Sequence, residues 1–162
     1  MENTRVDDFI NNDEQMTNIR IMHIIDYEQV YSLWTSTPNM GLNNIDDSKE
    51  GIQKYLARNP NTCFVAEKSG KIAGVILSGH DGRRGYIHHT AVSQNFQRQG
   101  IGASLVNTAM SALEREEITK VAFVVFEKNE KGNMFWESLG FSVRNDLVYR
   151  NKAISNLIRY DT

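Results

Sequence analysis

The residues with the clearest chemical potential form a glycine-containing segment, Gln97-Arg98-Gln99-Gly100-Ile101-Gly102. An extended stretch, residues 86–92, precedes it and apolar residues at helical spacing follow, which predicts strand, loop and helix. The first N–H groups of a helix lack acceptors within it, and the helix dipole adds positive charge there. The segment therefore predicts an anion site, where Gly100 and Gly102 let a phosphate approach bare backbone. The alternative is a helix start that happens to contain two glycines.

A second pattern with helical spacing lies further along the chain. It reads Asn129-x-x-Gly132-Asn133-x-Phe135-Trp136-x-x-x-Gly140-Phe141. In this order, the two patterns resemble the acyl-CoA pyrophosphate loop and the helix beside the CoA thiol in the GNAT superfamily of N-acetyltransferases. Two linked motifs are far more specific than one, and the resemblance covers roughly residues 19–158.

The resemblance implies that acetyl-CoA is the acyl donor. Backbone groups at the end of the strand would pair with the pantetheine arm, and an N–H near Val92 would stabilise the charge that develops on the thioester oxygen. The residues that the resemblance assigns to acetyl-CoA come from the strand end, the loop, the helix start and the later helix. They are Ala91, Val92, Gln97, Arg98, Gln99, Gly100, Ile101, Gly102, Ala103, Ser104, Asn129 and Trp136.

The implied reaction is direct attack of a neutral primary amine on the thioester carbonyl. A lysine-like amine has a pKa of about 10.4, so a base must take its proton. In several family members that base, or the residue that orders a water to act as one, comes from alternating strand positions, here Tyr86 and His88. We expect His88 to be the base, because histidine titrates near neutrality. The alternative is that His88 is a polar strand residue that only orients the substrate.

Strand periodicity also predicts where these side chains point. Tyr86, His88 and Thr90 alternate along the strand, so they are expected to share one face of the sheet. His89 is expected on the opposite face, where a structural role is favoured.

The later helix departs from the family pattern. Many members place a tyrosine there to protonate the departing CoA thiolate, and this chain has Trp136 at that position. An indole N–H donates a hydrogen bond but is no practical acid. Either the thiolate leaves unassisted, or another group such as Tyr86 or Tyr149 takes this role. The alternative is that Trp136 is a plain core aromatic.

The order of elements that must position these residues is strand, helix, helix, three strands, helix, strand, helix, strand. This order predicts an α/β (α+β) sandwich, and the resemblance implies a GNAT-like, mixed but mostly antiparallel sheet of six to seven strands flanked by about four helices. Residues 121–126 are apolar on both faces, which indicates a central strand. Residues 141–143 and 147–149 indicate a closing pair of strands.

Local signals place three further features. Residues 62–67 and 71–78 predict a hairpin, and Ser48 is expected to cap the second helix. The helix after Gly100 has apolar residues four positions apart, which predicts a stripe that packs on the sheet. The stripe consists of Ile101, Leu105, Ala109 and Leu113.

The length of 162 residues suits one domain. Residues 1–18 are rich in Asn, Asp and Glu, so we expect a flexible N-terminal extension followed by an N-acetyltransferase domain over residues 19–162. The first residues lack a signal-peptide pattern, and a single cysteine suits a reducing compartment. These features predict a cytoplasmic protein.

The formal net charge of −2 argues against nucleic-acid and membrane-surface partners. The histidines show neither the helical pairing nor the cysteine partners of a zinc site, so no metal is expected. The implied partner is a small-molecule or peptide amine, and an exposed final strand could join two copies into a homodimer.

The acceptor is the least determined part of the prediction. In the family, the loop at residues 35–47 helps to shape the acceptor pocket. Asp46, Asp47 and Glu50 could attract a cationic amine, although ordinary capping of a helix start is favoured for them.

The leading hypothesis is an acetyl-CoA-dependent N-acetyltransferase. The alternative is a catalytically impaired acyl-CoA-binding sensor or regulatory module, which Trp136 favours and His88 with an intact loop opposes. A third hypothesis is an unrelated α/β domain whose loop binds another phosphate, which predicts no preference for CoA over ADP.

Overall fold

The structure is a computed structural model that describes residues 16–160. Within these residues it contains five strands, four helices and two single turns of 3-10 helix, Ile24–Asp26 and Gln94–Phe96. The strands are β1 Asn18–Ile21, β2 Phe64–Lys68, β3 Lys71–His80, β4 Gly85–Val92 and β5 Val121–Ala122. The helices are α1 Tyr27–Thr35, α2 Lys49–Arg58, α3 Ile101–Arg115 and α4 Glu130–Ser138. Most of the expected extension, residues 1–18, lies outside the described residues.

The strands form one mixed sheet in the order β1-β2-β3-β4-β5. Neighbours pair antiparallel from β1 to β4, and β5 pairs parallel with β4. Ser69 and Gly70 join β2 to β3, both with positive φ, as a tight hairpin turn requires. The predicted hairpin and the predicted fold class are therefore confirmed.

Helices cover both faces of the sheet. On one face, α1 and α2 bury an apolar cluster that includes Trp34, Ile52 and Leu77. On the other face, α3 packs on residues such as Ile76 and Ile87. The predicted α3 stripe is confirmed, because all four of its members are buried: Ile101, Leu105, Ala109 and Leu113.

Local capping explains where two of the helices begin. Ser48 accepts a hydrogen bond from the Gly51 N–H at 3.0 Å, which confirms the predicted cap of α2. The Asn129 side chain accepts from the Gly132 N–H at 3.0 Å at the start of α4. None of the described helices combines the length and the apolarity needed to span a bilayer.

The sheet is smaller than expected after β4. Five strands are present among residues 16–160 instead of six to seven, and residues 141–143 and 147–149 form no ladder. Residues 121–126 do not form a central strand, because pairing with β4 stops at Ala122 and no described strand covers the other edge of β5. Val124 is accordingly 57% exposed. Apolar composition indicates a strand only where a partner supplies hydrogen bonds.

Candidate active site

An open cleft of about 740 Å³ lies where β4 and β5 separate. The two strands pair at Gly85–Val121 and Tyr86–Ala122 and then diverge. Residues 87–90 form one wall, residues 123–126 form another, and the loop at residues 37–41 forms part of the rim. Beyond Tyr86, β4 has no strand partner on its β5 side among residues 16–160. An extended ligand could pair with this open strand edge.

A β-bulge on β4 determines where the two histidines point. Leu77 pairs with His89 and its neighbour Ser78 pairs with Ile87, so His88 is the extra residue. The His88 ring contacts the Tyr55 ring, and the His89 ring contacts the Trp34 ring. Both partners belong to the apolar cluster under α1 and α2, so both histidines lie on that side of the sheet.

The bulge corrects the predicted faces of the strand. His89 does not oppose His88, because the extra residue breaks the two-residue alternation. Thr90 pairs with Ile76, which belongs to the cluster under α3, so Thr90 lies on the other face. Tyr86 remains beside His88, with ring centroids 4.8 Å apart.

His88 lies in the cleft between two tyrosines. Its ring meets Tyr55 edge-on at 5.2 Å and Tyr86 at 4.8 Å. Loss of hydration between the cleft walls, together with the nearby charge of His89, lowers the pKa of His88 below its ordinary value of 6.5. Asp47 and Asp46 act in the opposite direction. The neutral imidazole is therefore favoured near pH 7, and this is the form that accepts a proton.

His89 forms a short bond to a buried carboxylate. Its Nε2 lies 2.7 Å from Oδ1 of Asp47, and both side chains are nearly inaccessible. Oδ2 of Asp47 accepts the Asn43 N–H at 2.7 Å, and the Tyr27 hydroxyl donates to the Asp47 carbonyl at 2.8 Å. Nδ1 of His89 is buried with no partner among the described residues. This bond ties the end of the loop at residues 35–47 to β4.

The His89–Asp47 pair has almost no signal in the local sequence. The two residues are 42 positions apart, and Asp47 stands just before a helix, where an acidic residue is ordinary. The only available signal was an acidic residue close to the loop that shapes the acceptor pocket in the resembled family. Sequence reasoning had assigned Asp47 to capping and His89 to a structural role on the other face.

The glycine-containing segment forms an exposed turn that leads into α3. The Gln97 side chain donates to the Val92 carbonyl at 3.2 Å, and Arg98 and Gly100 have φ values of 61° and 78°. α3 has no side-chain cap and no acidic residue in its first turn. Its first N–H groups and helix dipole therefore face an open surface flanked by Arg98, which suits an anion.

The two glycines of this turn have different structural reasons. A side chain at Gly100 would meet nothing within 4 Å, so only its left-handed backbone favours glycine there. A Cβ at Gly102 would lie 3.2 Å from the Phe135 ring and 3.6 Å from Val92. Gly102 therefore allows α4 to pack closely on the start of α3, a reason that sequence reasoning did not find.

The α4 residues place aromatic rings against the cleft. Asn129 and Trp136 both line it. The Trp136 ring lies 4.2 Å from Phe123 and also contacts Phe135 and Phe141. Trp136 is thus a member of an aromatic cluster and a wall of the cleft at the same time.

Two tyrosines complete the cleft. Tyr149 lines it although it lies on an irregular and exposed segment. Desolvation and the neighbouring Tyr149 raise the pKa of Tyr86 above 10.0. Tyr86 is therefore protonated near neutral pH and can donate a hydrogen bond.

The structure brings most of the predicted site residues into two adjoining places. Tyr86, His88, Asn129 and Trp136 line the cleft. The remaining residues continue from the end of β4 into the first turn of α3, outside the cleft lining. They are Ala91, Val92, Gln97, Arg98, Gln99, Gly100, Ile101, Gly102, Ala103 and Ser104. Residues 16–160 contain no group of His, Cys, Asp and Glu side chains arranged to hold a metal ion.

Comparisons with known proteins agree on the family. The family model described as "Acetyltransferase (GNAT) family" matches residues 27–141. A curated relative, acetyltransferase plu1384 of Photorhabdus laumondii, is 29% identical over 127 residues, which cover 78% of this chain and 87% of that protein.

Solved structures show the same fold at lower sequence identity. Ard1 from Thermoplasma volcanium aligns with a TM-score of 0.71 and 21% identity over 79% of this chain and 84% of that one. AAC(6')-Iy, solved with the bisubstrate analogue CoA-S-monomethyl-acetylneamine, aligns with a TM-score of 0.66 and 16% identity over 86% of this chain and 99% of that one.

Proposed function

The chain belongs to the acetyltransferase (GNAT) family, and from this premise we propose that it transfers the acetyl group of acetyl-CoA to a primary amine by direct attack. The observation that carries the proposal is the junction of the uncapped start of α3 with the open edge of β4. One end suits a pyrophosphate and the other suits an extended arm that leads into the cleft.

Acetyl-CoA would lie along this junction. Its pyrophosphate would accept hydrogen bonds from the N–H groups of the turn and of the first residues of α3, near Arg98. The pantetheine arm would pair with the backbone at Ala91 and Val92, with Asn129 and Trp136 on the opposite wall of the cleft. The CoA-containing analogue bound by AAC(6')-Iy supports this choice of donor.

His88 would prepare the amine. Its neutral imidazole would take a proton from the ammonium group, directly or through a water, and the amine nitrogen would then attack the thioester carbonyl carbon. A backbone N–H near Val92 would stabilise the oxyanion of the tetrahedral intermediate. The carbon–sulfur bond then breaks, the attacking nitrogen gives up its second proton to the leaving thiolate or to solvent, and the acetamide and CoA are released. The proposed reaction assigns no role to a metal.

Departure of the CoA thiolate would not depend on the residue at the usual tyrosine position. Trp136 is held among Phe123, Phe135 and Phe141 and offers no titratable proton. Tyr86 and Tyr149 line the same cleft and are the candidates to give the thiolate a proton. Because a thiol has an ordinary pKa of about 8.5, the thiolate is also a good enough leaving group to depart without a proton donor.

A second candidate function is an acyl-CoA-binding sensor that does not turn over. Trp136 at the usual tyrosine position is the observation that favours it. The sensor predicts acetyl-CoA binding without thiol release for every amine tested. The enzyme predicts release of thiol together with an acetylated amine.

Thiol release with a panel of amines, checked by mass spectrometry of the acetylated product, separates these functions. For the enzyme, His88→Ala should lower kcat by about 10²- to 10⁴-fold while acetyl-CoA affinity stays unchanged. A His88→Ala protein that keeps its full rate would remove the proposed base. Binding of acetyl-CoA without product on any amine would favour the sensor.

Three further expectations remain proposals. We propose that residues 19–162 form the acetyltransferase domain and that it acts in the cytoplasm without nucleic-acid or membrane partners. A homodimer is still proposed, although the final strand through which it was expected to pair is not formed among the described residues.

A further inference from the structure

The C-terminal segment is held against the loop at residues 35–47, mainly by backbone hydrogen bonds. The Asn44 N–H donates to the Ile158 carbonyl at 3.0 Å, and the Ile158 N–H donates to the Asn44 side chain at 2.7 Å. The Tyr160 N–H donates to the Leu42 carbonyl at 3.0 Å, and Arg159 forms a β-bridge with Asn43. The end of the described chain is thereby attached to the loop at residues 42–44.

This attachment places Arg159 in the lining of the cleft. Histidines apart, Arg159 is the one charged side chain among the described residues that line it, and none of these residues is Asp or Glu. None of the ion pairs among residues 16–160 includes Arg159. Arg159 therefore lines the cleft with a positive charge that no carboxylate among residues 16–160 pairs with.

The carboxylates behind the cleft do not cancel this charge. Asp47 is buried and already bonded to His89 and to the Asn43 N–H. Asp46 accepts from the Asn43 side chain at 3.1 Å and does not line the cleft. The cleft therefore offers a cation to a ligand and offers no accessible anion among its described lining residues.

A guanidinium pairs best with a planar or tetrahedral anion, because its N–H groups can donate two parallel hydrogen bonds. An acceptor with several positive charges would gain nothing from Arg159 and would be repelled by it. The rings of Tyr86, Phe126 and Tyr149 supply apolar surface for the rest of the ligand.

We propose that the acceptor is a small amine that also carries a carboxylate or a phosphate, and that Arg159 binds this anionic group. The inference rests on the proposed function, because it names the acceptor of that reaction. It makes Arg159 a substrate-binding residue on the C-terminal side of the cleft, with His88 on the β4 side.

The test compares matched amines that differ in the anionic group. One pair is L-phenylalanine and L-phenylalaninamide, a second is phosphoethanolamine and ethanolamine, and cadaverine represents dications. Because the members of a pair differ in amine basicity, the quantity compared is the effect of Arg159→Gln on kcat/KM for each amine. Arg150→Gln is the matched control, since Arg150 is exposed and does not line the cleft.

We expect Arg159→Gln to lower kcat/KM for the anionic amine of each pair by roughly 10- to 100-fold. For the neutral amine, kcat/KM should change by less than about threefold. Arg159→Lys should be intermediate, because it keeps the charge and loses the paired donors. Arg150→Gln should leave kcat/KM unchanged for every amine. A thermal melt of each variant separates a folding defect from a loss of binding.

Several outcomes would overturn the inference. These are turnover restricted to amines without an anionic group, equal effects of Arg159→Gln on both members of each pair, and an anionic amine that neither binds to protein saturated with CoA nor turns over with acetyl-CoA. In the last case, acetyl-CoA binding together with turnover of a neutral amine would leave the proposed function standing. Loss of acetyl-CoA binding by the wild-type protein would instead overturn the proposed function itself.

Discussion

Nε2 of His89 lies 2.7 Å from Oδ1 of Asp47, although the two residues are 42 positions apart. The bond joins the end of the loop at residues 35–47 to the strand that carries His88. It thereby links one rim of the cleft to the strand of the proposed base. Both side chains are largely buried, so water could not readily take the place of either hydrogen-bonding partner.

Asp47→Ala should lower the free energy of unfolding by about 1–3 kcal/mol, because it leaves the buried His89 ring and the Asn43 N–H without their partner. The measurement is urea denaturation at pH 7. Asp146→Ala is the matched control, since Asp146 forms a similarly short but exposed pair with Arg144. The control should leave the free energy of unfolding almost unchanged. Similar losses for the two variants would show that burial of the Asp47 pair adds nothing to its contribution to stability.

The pH dependence of catalysis should report His88. Its pKa is lowered from 6.5, so the neutral base is lost only when the pH falls below that value. We expect kcat/KM to rise with pH through an acid limb that lies below about pH 6.5, and His88→Ala to abolish this limb. An acid limb that persists in His88→Ala would assign the titration to another group.

The same shift affects stability. The folded protein binds a proton at His88 more weakly than the unfolded chain does, so the unfolding free energy should fall as the pH drops below 6.5. His88→Gln should reduce this dependence in denaturation experiments between pH 5 and pH 7. An unchanged slope would contradict the lowered pKa.

Gly102 and Phe135 should be coupled. Gly102→Ala forces the Phe135 ring to shift by a few tenths of an ångström, and this packing cost should offset the roughly 1 kcal/mol that alanine otherwise gains over glycine inside a helix. Phe135→Leu in the same chain should remove part of this cost. Gly100→Ala serves as the control, because its cost arises from a positive φ and Phe135→Leu should not relieve it. Additive effects of Gly102→Ala and Phe135→Leu would argue against the close helix contact.

Trp136 should act through packing and not through its N–H. Trp136→Phe keeps a ring beside Phe123 and Phe141, so kcat should stay within about threefold of wild type. Trp136→Ala should weaken acetyl-CoA binding, since it removes one wall of the cleft. A large loss of kcat in Trp136→Phe, with unchanged acetyl-CoA affinity, would indicate that the indole takes part in the chemistry.

Local sequence signals predicted the features that depend on neighbouring residues. The Ser48 cap, the Ser69–Gly70 turn and the α3 stripe each follow from residues within a few positions of one another. The position of the glycine turn between β4 and α3 was predicted for the same reason.

Features that depend on distant partners were not predicted. The bulge at His88 arises from the register between β3 and β4, and Arg159 reaches the cleft because the chain end pairs with residues 42–44. Residues 141–143 and 147–149 were expected to form a closing pair of strands, yet no neighbouring strand among the described residues pairs with them. Strand register, the path of the C-terminal segment and the choice of strand partners are properties of the whole fold, so they leave no pattern in the local sequence.

The most direct test of the central claim is calorimetric titration of the protein with acetyl-CoA and, separately, with ADP. If the pyrophosphate binds at the start of α3 and the pantetheine arm pairs with the open edge of β4, acetyl-CoA should bind one site per chain at least about tenfold more tightly than ADP. No acetyl-CoA binding, or equal affinity for the two ligands, would contradict the assignment of this junction to acetyl-CoA.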